Sequence, residues 1–197
     1  MRNAVIVATA RTPIGRAYKG SLVDVRPDDL AAHVIKAALA KVPNLDPALI
    51  EDVLLGCAQP AGEQGYNIAR VASLLAGLPD VPGATVNRYC SSSLQTIRMA
   101  AHAIMAGEGD VFVAGGVETV SRFTKGKADG MEGTLNTLFS DAMARSHKRA
   151  MGGEGDWTPG GGLPDVYIQM GQTAENVAQA YKVSRREQDE FAALSQQ

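Results

Sequence analysis

Two cysteines and three histidines are the first residues of this chain to weigh for covalent and acid–base chemistry. Cys90 stands in VNRYCSSSLQT, residues 86–96, between the short β-type run Ala84, Thr85, Val86 and a long helical pattern. At a helix N-terminus the unpaired backbone N–H groups and the macrodipole favour a thiolate. The same N–H groups can hold the oxyanion formed when a thioester or ketone carbonyl is attacked. The competing reading of Cys90 is a small buried hydrophobe filling a tight junction. Cys57 lies inside the apolar run VLLGCA, has neither feature, and is expected to be structural.

A nucleophilic cysteine needs a base. His102 falls on the same helical pattern as Cys90, twelve positions on, which is about 18 Å along a helix axis and too far to serve it. His33 belongs to an earlier helix and reads as a partly buried surface residue. His147 lies in RSHKR, which reads as a solvated basic loop. The base is therefore absent or supplied by another stretch of polypeptide. Lys125, Lys127, Arg145, Lys148 and Arg149 could meet a phosphate-bearing ligand, although such runs are more often plain solvated loops. Met99, Ile104 and Met105 read as core. No Walker loop occurs and no GxGxxG follows a strand, so a nucleotide-phosphate cradle is unsupported. No metal site is expected.

The elements that must position Cys90 alternate along the chain. Ala4–Ala8 (AVIVA) predicts a fully buried first strand, with TPIG as the turn after it. Asp28 or Asp29 can cap a helix carrying Leu30, Val34 and Ala38 at one-turn spacing. Asp46-Pro47 predicts a second helix start. Val53–Ala58 predicts a strand, Asn67–Leu75 a helix stopped by Gly77, and Ala84–Asn87 a third strand. Ser92–Ala106 predicts the helix behind Cys90, ended by Gly107, and Asp110–Gly115 a fourth strand. Strands and helices in alternation imply an α/β layer on a largely parallel sheet up to about residue 119. Residues 121–169, with GKADG and GGEGDWTPGGGLPD, have no sustained period and read as loops and short helices. Gly171–Tyr181 is helical again, and Ser184-Arg185-Arg186-Glu187 is a capping box opening a last helix. That helix runs to the end without a stop signal, so the expectation is a chain cut rather than finished.

Of the 197 residues, 45% are hydrophobic and 20% charged, with net charge −2. That balance gives no electrostatic case for nucleic acid or an anionic membrane. No apolar run approaches the roughly 20 residues that span a bilayer. Two cysteines without framework spacing fit a reducing compartment. The reading is a soluble cytoplasmic protein.

With these residues placed, the sequence resembles the thiolase family. VNRYCSSSLQT looks like the family's nucleophile motif VNRxCxSGxQA, and ARTPIGRAYKGSL resembles the opening TPxGxFxGxL. VAGGVETVS is similar to the GGMExMS turn, and MGQTAENVAQAYKVSRREQDEFAALSQ to MGxTAENVAxxxxISRExQDxFAxxSQ. The matches run in the family's order over residues 10–196. The resemblance implies a thiolase-like α/β fold: residues 1–119 as the N-terminal domain lacking its final strand, and 120–197 as part of an inserted loop domain. The C-terminal domain would lie outside this chain. It implies a CoA-dependent acyltransferase that cleaves 3-ketoacyl-CoA with CoA, or runs the reverse Claisen condensation. Cys90 would carry the acyl group as a thioester, and its N–H would donate to an oxyanion. Met170 matches a methionine lining the CoA channel, and Leu163 a loop-domain leucine. No permanently bound cofactor is implied, and coenzyme A is a substrate. The expected partners are acyl-CoA and CoA, with a homodimer, a homotetramer, or a second chain supplying the C-terminal half.

This sequence departs from the family at Ser93, where glycine is usual, and at Gln169, where acetoacetyl-CoA thiolases tend to carry histidine. The second departure points towards degradation of larger acyl groups, in lipid or steroid side-chain metabolism. The GHP histidine that activates the cysteine and the CxGxG second cysteine are absent, so the 197 residues alone are expected to be inactive. Two other readings remain at this point. One is a condensing relative that extends acyl chains. The other is a non-catalytic acyl-CoA-binding or interaction subunit, which has no need of an activated thiol.

Overall fold

The computed structural model describes residues 2–153 and 161–197; the GEGDWTPG portion of the glycine-rich stretch lies largely outside them. The chain forms two compact units, Met1–Met131 and Glu132–Gln197.

The first unit is built on three parallel strands, β1 (Ile50–Gly56), β2 (Gly83–Val86) and β3 (Val111–Gly116), in the order β2-β1-β3. The central strand is apolar on both faces. Val53, Leu54 and Leu55 are all buried, as a strand sandwiched between helices requires. The register places Val53 between Gly83 and Val113, and Gly56 between Val86 and Gly116. Helix α2 (Ile68–Leu75) packs over β2 and β1, and α3 (Ser92–Ala106) over β3 and β1. A Cβ on Gly83 would strike the α2 backbone, whereas one on Gly56 would strike the start of α3. Those two glycines are three positions apart in register, so α2 and α3 cover opposite faces.

Helix α1 (Pro27–Leu39) packs on α2 and sends Ala31 and Ile35 into the core with Val53, Leu55, Cys57, Ile68 and Ala72. It starts at Pro27, whose missing N–H costs nothing at the first helical position; Asp28 does not cap it. Asp28 instead accepts from Arg26 Nη2 at 2.8 Å and Nε at 3.0 Å. Burial pushes its carboxyl up, but the Arg26 hydrogen bond and charge outweigh that, and it ends below the usual range. Arg122 donates to both Glu63 oxygens, at 2.5 and 2.6 Å, tying the segment after β3 to the one before α2.

Other expectations are corrected. Met99 and Met105, read as core, are 36% and 40% exposed. Asp46-Pro47 opens only the 3-10 turn Pro47–Leu49, with the Asp46 side chain accepting from Ala48 N. Ala4–Ala8 is not a strand: Val5, Ile6 and Val7 are 72–74% exposed. A strand exists only through a ladder, and a cavity of about 1110 Å³ lies between this segment and β3. Among the described residues no ladder joins the two. Finally, RSHKR is not a loop but part of the helix Ser140–Ala150.

The second unit contains α4 (Ser140–Ala150), α5 (Met170–Tyr181) and α6 (Arg185–Gln196). Phe139 meets Tyr167 edge-on at 5.6 Å, and the Tyr167 hydroxyl accepts from Asn136 N at 3.0 Å. Arg149 on α4 donates to Asn176 and, at 2.9 Å, to Gln179 on α5. Helix α6 has the full capping box between Ser184 and Glu187 and buries no residue. No helix among the described residues is long and apolar enough to cross a membrane.

Candidate functional site

The C-terminal ends of β1, β2 and β3 converge, and the chain leaving β2 makes one sharp turn before α3. That turn, Tyr89–Ser91, is a single 3-10 turn holding Cys90, which is exposed. Tyr89 adopts φ +47°, a left-handed conformation that non-glycine residues rarely hold without support. The support is on both sides. Asn87 Oδ1 accepts from Tyr89 N at 2.9 Å, and Asn87 Nδ2 donates to the Ala58 carbonyl at 3.1 Å. Ser92 Oγ donates to the Tyr89 carbonyl at 2.6 Å and accepts from Arg88 N at 2.8 Å. Ser92 is itself 4% exposed. The strained residue is therefore fixed by two side chains, and Cys90 is presented at the start of a 15-residue helix.

The end of β1 is built for the opposite purpose. Cys57 is 1% exposed, and burial, reinforced by the Glu118 carboxylate, pushes its thiol up to about 11. Glu118 follows β3 and accepts from Ala58 N at 2.7 Å and Gln64 Nε2 at 2.6 Å. Gln64, 3% exposed, accepts in turn from Thr119 N at 2.8 Å. The GGVETVS turn thus clamps the ends of β1 and β3 together beside the Cys90 turn.

Sequence reasoning singled out Cys90 but not Asn87, Ser92, Gln64 or Glu118. The first two sit within the VNRYCSSS stretch, so their spacing was a usable signal; Gln64 carried none. Ser93 lies in the first turn of α3 with its hydroxyl against Gly116. Met170, Gln169 and Leu163 lie in the second unit. Met170 opens α5 and is 69% exposed, Gln169 is its N-cap, and the Leu163 carbonyl accepts from Arg145 Nη2 at 2.7 Å. His33, His102 and His147 are exposed on α1, α3 and α4, and among the described residues none of them hydrogen-bonds Cys90. No cluster that could hold a metal ion occurs among the described residues.

Comparison with known proteins agrees with this layout. Residues 4–197 match the family described as Thiolase, N-terminal domain. The chain is 45% identical over its whole length to 47% of a 3-oxoadipyl-CoA/3-oxo-5,6-dehydrosuberyl-CoA thiolase of Escherichia coli (strain K12). It is 43% identical over its whole length to 44% of a 3-ketoacyl-CoA thiolase of Bacillus subtilis (strain 168). A beta-ketoadipyl-CoA thiolase of Acinetobacter baylyi is 43% identical, with the whole chain matching 47% of it. The chain spans about half the length of these relatives. With its α/β unit on a parallel sheet and a family match over residues 4–197, this chain belongs to the thiolase family.

Proposed function

We propose that this polypeptide is the Cys90-bearing part of a CoA-dependent C-acyltransferase that cleaves 3-ketoacyl-CoA or runs the reverse condensation. The observation that carries the reading is the exposed Cys90 at the start of α3, held by Asn87 and Ser92. In the cleavage direction the Cys90 thiolate attacks the 3-keto carbon, and the Cys90 N–H donates to the oxyanion. Collapse breaks the C2–C3 bond, a proton is delivered to C2, and acetyl-CoA leaves an acyl-Cys90 thioester. A CoA thiolate then takes the acyl group and restores Cys90. The names of the relatives support a 3-ketoacyl-CoA as substrate class; degradative lipid or steroid side-chain metabolism in the cytoplasm belongs to the same proposal and rests on the departure at Gln169. Leu163, Gln169 and Met170 belong to the acyl-CoA channel in this reading.

In the same reading, residues 1–119 form the N-terminal domain and 120–197 part of the loop domain. The base for Cys90 and the acid that protonates C2 come from further polypeptide, either covalently continuous or in a second chain, in a dimer or tetramer. Two features support incompleteness. Among the described residues no histidine hydrogen-bonds Cys90. The cleft between β3 and residues 4–8 is roofed by apolar side chains of α1 (Val34, Ala38) and α3 (Ile97, Ala101). An unpaired β3 edge facing an unpaired extended segment has the form of a place for one more strand.

The test is turnover. The 197-residue chain, with its mass confirmed, should show no thiolysis of acetoacetyl-CoA or longer 3-ketoacyl-CoA. Co-expression with a polypeptide bearing the GHP and CxGxG segments should restore it, and Cys90→Ser should abolish the covalent acyl-enzyme in that assembly. Turnover by the isolated chain would refute the incompleteness. Acyl transfer by the assembly that survives Cys90→Ser would show that Cys90 is not the nucleophile and leave this chain the role of a non-catalytic, acyl-CoA-binding subunit.

A further inference from the structure

The first turn of α3 rests on bare backbone. Gly56 and Gly116 are register partners at the C-terminal ends of β1 and β3. A Cβ added to Gly56 would stand 2.6 Å from Ser92 C and Ser93 N and 2.7 Å from Ser92 Cβ. Two of those three atoms are backbone, so no side-chain rotation relieves the contact. A Cβ on Gly116 would stand 2.1 Å from Ser93 Oγ, 2.9 Å from the Gly56 carbonyl oxygen and 3.3 Å from Ser93 Cβ. The helix is also held down. The fully buried Thr96 hydroxyl lies 2.8 Å from the Ser93 carbonyl oxygen and 3.0 Å from that of Gly115. Ser93 and Thr96 both lie on α3, so the turn can rise off the sheet only by breaking the Thr96–Gly115 bond, and Ser92, which also holds Tyr89, would rise with it.

We propose that Gly56 and Gly116 are positioning residues for Cys90: together they form a glycine seat that sets the height of the Cys90 turn above the sheet ends. Ser93 is the part of the load matched to this seat, since its hydroxyl occupies space that a side chain at 116 would take. The proposal rests on the reading of Cys90 as the nucleophile, because only then does the height of the turn matter to chemistry. Neither glycine touches a reacting atom; both act through the backbone of Ser92 and Ser93.

Gly115 supplies an internal control. It lies on the same strand, yet a Cβ there meets only Leu55 Cδ2 at 3.5 Å, an ordinary contact. The experiment measures the iodoacetamide rate of Cys90 and its pH profile in the 197-residue chain, together with the urea midpoint. The variants are Gly56→Ala, Gly116→Ala, Gly115→Ala, Ser93→Gly/Gly116→Ala and Ser93→Gly/Gly56→Ala. Gly115→Ala should match the unmodified chain. Gly56→Ala and Gly116→Ala should change the Cys90 rate by about tenfold and displace the midpoint of its pH profile, within the range of coupling between touching residues. Ser93→Gly should restore much of the loss in Gly116→Ala and none in Gly56→Ala. A purely structural glycine would lower the urea midpoint and leave the rate and profile of the folded fraction unchanged; that result overturns the proposal. So does a Gly116→Ala chain that Ser93→Gly fails to improve, whether the defect is in rate or in folding. The nucleophile reading fails on a different readout, acyl-enzyme formation that persists in Cys90→Ser.

Discussion

The ends of β1 and β2 are neighbours in one ladder, Cys57 N donating to the Val86 carbonyl at 3.0 Å, yet they treat their cysteines in opposite ways. After β1 the chain is held by Glu118 from the end of β3 and by Gln64, and Cys57 is left in the core with its thiol pushed up. After β2 the chain reverses through a left-handed tyrosine and delivers Cys90 to the surface at a helix start. The difference teaches that reactivity here is a property of the strand exit. Both residues are cysteines at the end of a parallel strand, and the segment leaving each strand decides whether its thiol is sealed in or offered to solvent.

The largest test of that contrast is chemical labelling. Cys90 should react with iodoacetamide at least about a hundredfold faster than Cys57 at pH 8, since a thiol with pKa about 11 is only about one part in a thousand thiolate there. Peptide mapping that finds Cys57 modified first would break the comparison.

A smaller effect is the pH dependence of stability. The Cys57 thiol is raised from 9.0 to about 11 by folding, so the folded state favours the protonated form. Its contribution is fully present below pH 9 and lost as pH rises through 11. The loss should be about 2–3 kcal/mol, visible as a urea midpoint that falls across that window and flattens in Cys57→Ala. A midpoint equally pH-dependent in the variant would assign the effect to other groups.

Smallest is the support of Tyr89. Asn87→Ala removes two hydrogen bonds, to Tyr89 N and Ala58 O, and should cost about 1–2 kcal/mol. In contrast to Cys57→Ala, it should also alter the Cys90 labelling rate. Unchanged labelling would mean that Asn87 does not hold the Cys90 turn.

Much of this contrast was legible in the residues. The alternation of apolar runs and helical patterns pointed to the three strands and the three helices of the first unit, and VLLGCA against VNRYCSSS separated the two cysteines. Hidden from the sequence was whatever depends on a distant partner. AVIVA has the composition of a buried strand, but pairing is a property of two segments, and no partner strand for it occurs among the described residues. Helix α4 (SDAMARSHKRA) was concealed because it is rich in charge and buries only Ala142 and Ser146, too narrow a stripe to show a period. Gln64 and Gly56 were silent because their roles arise only when strand ends meet.

Helix α6 carries a further consequence. Its capping box, its Arg185–Asp189 and Arg186–Glu190 pairs at 2.9 and 2.8 Å, and its lack of any buried residue mean that it is written almost wholly in local code. Helices of about a dozen residues are marginal when left to such terms alone. Its amide protons should therefore exchange with solvent through fraying that leaves the rest of the molecule untouched, while those of β1 wait for global opening. Helix α6 and strand β1 belong to different clocks, one set by a single helix and the other by the whole sheet.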